Sequence, residues 1–141
     1  MAILNPYLIF NGDCEAAFIF YAEVFNKEIP QMMRFGEMSN DAEPKLSEKD
    51  ANKIMHVTLP LANNTTLMGS DSNAVEGEVK FGNNILISIN TESEAEADKL
   101  FNGLSKDGII KMPIQKTFWN AYFGILTDKF GINWMVNFDF E

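Results

Sequence analysis

Chemistry in this chain would have to start from very few side chains. There is one histidine, His56, within the apolar segment IMHVTL, and one cysteine, Cys14, within NGDCEAAF. An imidazole titrates near neutral pH, so His56 could move a proton or anchor a polar group. Asp71 closes the segment LMGSD and could bring a carboxylate to the same task. Structural readings fit both residues as well. A histidine among apolar neighbours on a strand can be a hydrogen-bonded residue of one sheet face, and an Asp after Gly-Ser can form a turn. Neither has a visible partner that would complete a nucleophile–base pair. Cys14 follows Asp13, a helix N-cap by residue type, where the helix terminus could lower a thiol pKa. A buried, inert thiol fits that position too.

Several chemistries are excluded. Tight divalent sites need several imidazoles or carboxylates converging on one ion, and a single histidine rules out every two-histidine arrangement. No P-loop, G-x-G-x-x-G, G-x-S-x-G or H-E-x-x-H pattern occurs. Lys and Arg number 11 against 20 Asp and Glu, a formal charge of −9, and the cations are scattered singly. A phosphate backbone needs an electropositive face, so nucleic acid is not expected as a partner. No apolar run reaches the roughly 18 residues that span a membrane, and MAILNPYLIF carries no basic region or cleavage site of an export signal. The lone cysteine cannot form a disulfide within the chain, which points to the cytoplasm.

What remains is apolar surface. Met32, Met33, Met38, Met55, Met68, Met112 and Met135 supply soft packing that suits either a core or an adaptable apolar pocket. From Phe118 to Phe140, FWNAYFGILTDKFGINWMVNFDF holds both tryptophans, five phenylalanines, a tyrosine and only three charges. That stretch is core, pocket wall or both.

The elements that must position these residues come in two similar sets. Leu4 to Phe10 reads as a strand, and Asp13 caps a helix whose apolar face runs from Ala16 to Phe25, ended by Asn26. Strands follow at Glu28 to Phe35, Lys53 to Leu61 and Thr65 to Asp71, the last two joined by the Ala62-Asn63-Asn64 turn. The polar stretch Gly36 to Asn52 reads as a surface loop or a pocket flap. After a polar linker at 72–83 the order recurs: a strand at Asn84 to Ile89, a helix capped by Thr91 or Ser93, and strands at Ile109 to Gln115, Thr117 to Thr127 and Asn133 to Phe138. The two helices start about 80 residues apart, an internal repeat.

A doubled βαβββ unit of this length resembles the vicinal oxygen chelate superfamily, which includes glyoxalase I, extradiol dioxygenases and bleomycin-resistance proteins. YLIFNGDCEAAFIFYAEVF, IMHVTLPLANNTTLMGSD and MPIQKTFWNAYFGILTDKFGINWMVNFD resemble its PhnB-like branch from end to end. One departure is Asn120, where that branch usually has Gly after the tryptophan; a side chain there would narrow the mouth of the site.

The resemblance implies an α+β fold: two βαβββ modules in tandem, about 1–71 and 84–141 of a single domain, forming concave mixed β-sheets with helices packed outside. It implies a ligand on the concave face and a homodimer. At the positions where superfamily enzymes hold a metal, this chain offers Asn5 and Tyr7, Leu67 and Met68, Ile85 to Ile87, and Met135, none a convincing ligand for a hard ion. No cofactor is therefore expected. The residues expected to line the site are Tyr7, His56, Met68, Asp71, Phe118, Trp119, Tyr122 and Met135, with Trp119 facing the concavity near His56 and Asp71, and Trp134 mainly core. The first reading of function is a metal-free protein that holds a small apolar or planar molecule. The alternatives are a metal-independent enzyme using His56 or Asp71 as acid–base group, and a divalent-metal enzyme using the two together. An older label of the branch, 3-demethylubiquinone methyltransferase-like, has no support in any glycine-rich motif for S-adenosylmethionine.

Overall fold

A computed structural model describes residues 1–38, 46–73 and 77–141. The chain divides into two compact units, Met1–Lys80 and Phe81–Glu141. The first runs β1 (Tyr7–Phe10), α1 (Cys14–Phe25), β2 (Gln31–Arg34), α2 (Glu48–Asn52), β3 (Ile54–Pro60) and β4 (Thr66–Asp71). The second runs β5 (Ile87–Asn90), α3 (Glu94–Ser105), β6 (Ile109–Lys116), β7 (Ala121–Thr127) and β8 (Asn133–Asp139). Strand order is β1-β4-β3-β2 in one sheet and β5-β8-β7-β6 in the other, with β1∥β4 and β5∥β8 parallel and the remaining pairs antiparallel. The architecture is α+β, with the same βαβββ topology in both units.

Strand alternation builds each core. In the first unit Leu8, Phe10, Val57, Leu59 and Leu67 point to one side of the sheet and are buried with Ala17, Phe18 and Tyr21 of α1. A Cβ on Gly69 of β4 would lie 2.5 Å from the Phe18 ring, so only glycine lets the helix sit this close. The second unit repeats the device: a Cβ on Gly124 of β7 would lie 2.6 Å from the ring of Phe101 on α3.

Several boundaries differ from the sequence reading. The first strand begins only at Tyr7, because Pro6 has no N–H for the ladder, although its carbonyl accepts from Met68 at 3.1 Å. The fifth begins at Ile87, because the preceding carbonyls of Gly82 and Ile85 take hydrogen bonds from the Asn133 side chain. Of the polar stretch read as loop or flap, Phe35–Met38 is a 3-10 turn and Glu48–Asn52 is the short helix α2, started by Ser47 accepting from Asp50 N. Residues 39–45 of that stretch lie outside the described residues, as do 74–76 of the linker. The Asn63-Asn64 turn is as expected, both residues being left-handed at φ 58° and 61°.

Candidate functional site

Each sheet has a helix-covered face and an open face. In the first unit the open face receives Tyr7 from β1, Met68 from β4, Thr58 from β3 and Gln31 from β2, which form one row through the pairings Tyr7↔Met68, Met68↔Thr58 and Gln31↔Thr58. His56 lies two residues from Thr58 on the same face and pairs with Met33 of β2. These two, with Met68, are half-buried, while Tyr7 is 44% exposed.

His56 is held from both ring nitrogens. Tyr7 Oη lies 3.2 Å from Nδ1, and Thr58 Oγ1 lies 3.0 Å from Nε2. The Tyr7 and His56 rings approach with centroids 5.7 Å apart. Four strands thus place a hydroxyl–imidazole–hydroxyl string, from β1 and β3, beside the thioethers of Met33 on β2 and Met68 on β4. The string fixes the ring plane and leaves the outer lone pair or proton of each hydroxyl for a further partner.

Asp71 is elsewhere, and this corrects the expectation that it lines the site with His56. It pairs with Phe10 in the parallel ladder and shares that residue's helix-covered face, 1% exposed. Its Oδ1 accepts from Gly12 N at 2.9 Å and Cys14 N at 3.0 Å, and its Oδ2 accepts from Ile54 N at 2.9 Å. Asp71 therefore accepts from the first amide of α1 and from Gly12 just before it, the capping task expected of Asp13, whose side chain makes no capping bond. His56 and Asp71 lie on opposite faces of one sheet and cannot share an ion or a substrate. Cys14, fully buried beside Asp71, has its thiol pushed well above the usual range by burial and, second, by that carboxylate. It is not a nucleophile. On the same side Arg34 forms a two-pronged ion pair with Glu15 of α1, at 3.1 and 2.6 Å, whose hydrogen bonds lower the Glu15 pKa.

In the second unit Trp134 and Met135 take opposite faces of β8. Trp134 is 1% exposed on the helix side, with its indole N–H donating to Asp128 Oδ2 at 2.8 Å. Met135 takes the open face, on the row Ser88↔Met135↔Ile125↔Met112. Tyr122 does not line that face. Its hydroxyl donates to Asp98 of α3 at 2.6 Å, and that bond is the main reason its pKa is pushed up to about 12. Phe123, one residue on, takes the open side and meets the Trp119 ring at 6.0 Å. Trp119 and Phe118 stand not on a strand but in the turn between β6 and β7, packed edge-to-face at 4.9 Å, and are 53% and 97% exposed. The strand breaks there because Asn120 adopts φ 65°, with its amide donating to the carbonyls of Phe140 and Glu141. This is a conformation that glycine, the residue the resemblance leads one to expect here, adopts without strain.

The sequence reading overlooked Thr58, named Met33 only among the methionines suited to either core or pocket, and left Phe123 out of the residues expected to line the site. Thr58 could have been found from its i+2 spacing to His56 in a strand. The other two depend on a register that no local pattern supplies.

The donor set does not fit the divalent metal held by many proteins of this fold. The open face around His56 offers phenol, hydroxyl and thioether groups, and a carboxylate is missing from its described residues. Among the described residues no three His, Cys, Asp or Glu side chains are grouped to hold an ion.

A tandem βαβββ chain with two matching four-stranded mixed sheets belongs to the glyoxalase class of folds. A glyoxylase/bleomycin resistance protein/dioxygenase domain from Frankia sp. EAN1pec has that fold at TM-score 0.68, 14% identity and 99% and 98% coverage of the two chains. Within the class, residues 2–137 match the family described as 3-demethylubiquinone-9 3-methyltransferase, and the chain belongs to that family. Protein YjdN of Escherichia coli (strain K12) is 32% identical over 138 residues, 95% of this chain and 93% of that protein. The crystal structure of protein PA1353 from Pseudomonas aeruginosa superposes at TM-score 0.84 with 37% identity, covering 99% of this chain and 98% of the other. A PhnB protein from Bacillus cereus, described as a putative 3-demethylubiquinone-9 3-methyltransferase, superposes at TM-score 0.76 with 28% identity, covering 97% of this chain and 99% of the other.

Proposed function

We propose that the protein binds a small, largely apolar molecule on the open face of its first sheet, without a metal ion. The observation that carries this reading is the Tyr7–His56–Thr58 string set beside Met33 and Met68. A few convergent polar atoms on an apolar, adaptable surface are what fixes a small ligand in one orientation. Met135, Phe118 and Trp119 form a separate candidate surface of the second unit taken by itself; Asp71 and Tyr122 are not candidates in either unit. A cytoplasmic homodimer completes the proposal, resting on the resemblance and on the single, buried thiol.

The reading is tested by saturation-transfer NMR with a fragment library, comparing the native chain with Met68→Glu. The substitution puts a carboxylate in the middle of the face without touching the core. Loss of the fragment signals with unchanged circular dichroism supports the proposal. Fragments that bind both chains equally contradict it.

A second reading, a metal-independent enzyme with His56 as acid–base group, is favoured by one observation. Tyr7 holds Nδ1 at 3.2 Å, so the ring is oriented as a catalytic imidazole would be. It requires that His56→Gln abolish turnover of a bound compound while leaving its Kd nearly unchanged.

A further inference from the structure

The open face of the first sheet differs in charge from the rest of the chain. Charged residues make up 22% of the sequence. Yet the side chains that β1 to β4 direct onto this face, from Tyr7 and Ile9 through Gln31 and Met33 to Thr66 and Ser70, include no Asp, Glu, Lys or Arg. The charges of these strands go to the other side: Arg34 to Glu15 of α1, and Asp71 to the amides at the start of that helix. A charged group desolvated against this face would find no counter-charge, and that costs far more than leaving a neutral group there.

The hydrogen-bonded string adds a second constraint. A neutral imidazole donates from one nitrogen and accepts at the other. With the proton on Nδ1, the ring donates to Tyr7 Oη, and the Tyr7 O–H is free to donate outward to a ligand carbonyl. With the proton on Nε2, Tyr7 donates to Nδ1 and its oxygen can accept from a ligand hydroxyl. Thr58 at the other end changes role in the opposite sense. One tautomer shift therefore lets the string meet either an acceptor or a donor, with no net charge in either state.

Building on the proposed binding face, we infer that its ligand class is uncharged ring compounds bearing a hydroxyl or a carbonyl. The ring lies against the Met33 and Met68 thioethers, which pack well on aromatic edges. The oxygen meets the Tyr7–His56–Thr58 string. Hydroxyl and carbonyl forms of one ring skeleton are both accommodated, while carboxylates, phosphates and ammonium ions are rejected.

Calorimetric titration of the full chain at pH 8 with phenol, acetophenone, benzoate and benzylammonium tests this. Phenol and acetophenone should bind at least about tenfold more tightly than the two ions. Tyr7→Phe and Thr58→Val, two changes at half-exposed or exposed positions, should each weaken the neutral compounds about threefold or more. Benzoate or benzylammonium binding as tightly as phenol overturns the ligand class and leaves the binding face standing. Failure of all four compounds overturns both. Neutral compounds that bind with no response to either substitution are held elsewhere, which also overturns the inference.

Discussion

At the scale of single residues, environment assigns roles that residue type leaves open. Asp71 and His56 look alike as candidates in the sequence. Only partners at |i−j| of 57 and 59 show that Asp71 is a cap for α1, and no pattern local to LMGSD records those contacts. Asp71→Ala would take the acceptor from three amides, two of them buried, and we expect urea denaturation to register a loss of roughly 2–4 kcal/mol. A change below about 1 kcal/mol would show that water replaces the carboxylate. Tyr122 gives a pH-dependent counterpart. Its folded pKa, about 12, lies above the ordinary tyrosine value of 10.0, so the protonated form is the one stabilised. Its contribution is fully present below pH 10 and is lost as the pH rises toward 12. Tyr122→Phe should therefore lower stability at neutral pH and flatten the alkaline fall seen in the native chain. Identical alkaline profiles for the two proteins would contradict the assignment.

At the scale of elements, the repeat, the strand sequence and the opposite facing of Trp134 and Met135 were legible from apolar spacing, because a period of two needs no tertiary information. The hairpin at Phe118–Asn120 was not legible. FWNA has the aromatic content of a strand, and its turn depends on one asparagine adopting a left-handed conformation. The short helix α2 escaped for the opposite reason, since four polar residues and a single alanine carry no apolar period. The two tryptophans should separate cleanly on mutation. Trp134→Ala removes a buried indole and its bond to Asp128, and thermal melts should show a loss of about 3–5 kcal/mol. Trp119→Ala, at a half-exposed turn, should cost less than about 1 kcal/mol. Comparable losses at both sites would mean that the turn is packed in solution. Asn120→Ala tests the turn itself, with a cost of about 1–2 kcal/mol for a left-handed alanine, against near neutrality for Asn120→Gly.

At the scale of the whole molecule, the fold belongs to a class in which metal enzymes and metal-free binders occur together, so the fold alone does not choose between them. In this chain the donor set around His56 favours a metal-free face. Melting curves with micromolar Zn²⁺, Ni²⁺ or Mn²⁺ should superimpose on the metal-free curve. A stabilisation of several kcal/mol would reveal a ligand set that the sheet faces do not display. The proposed homodimer is checked by sedimentation equilibrium at micromolar concentration, where a mass of 15.9 kDa throughout would count against it.

In the proposed function a small neutral molecule is held on the open face of the first sheet. The most direct measurement labels the methionine methyl groups and follows their NMR signals during a phenol titration. Met33 and Met68 flank the Tyr7–His56–Thr58 string, whereas Met32 pairs with Val57 on the helix-covered side. Saturable shifts are expected at Met33 and Met68, with little change at Met32 and loss of the response in Met68→Glu. Saturable shifts confined to other methionines, or none at saturating phenol, would contradict the proposal.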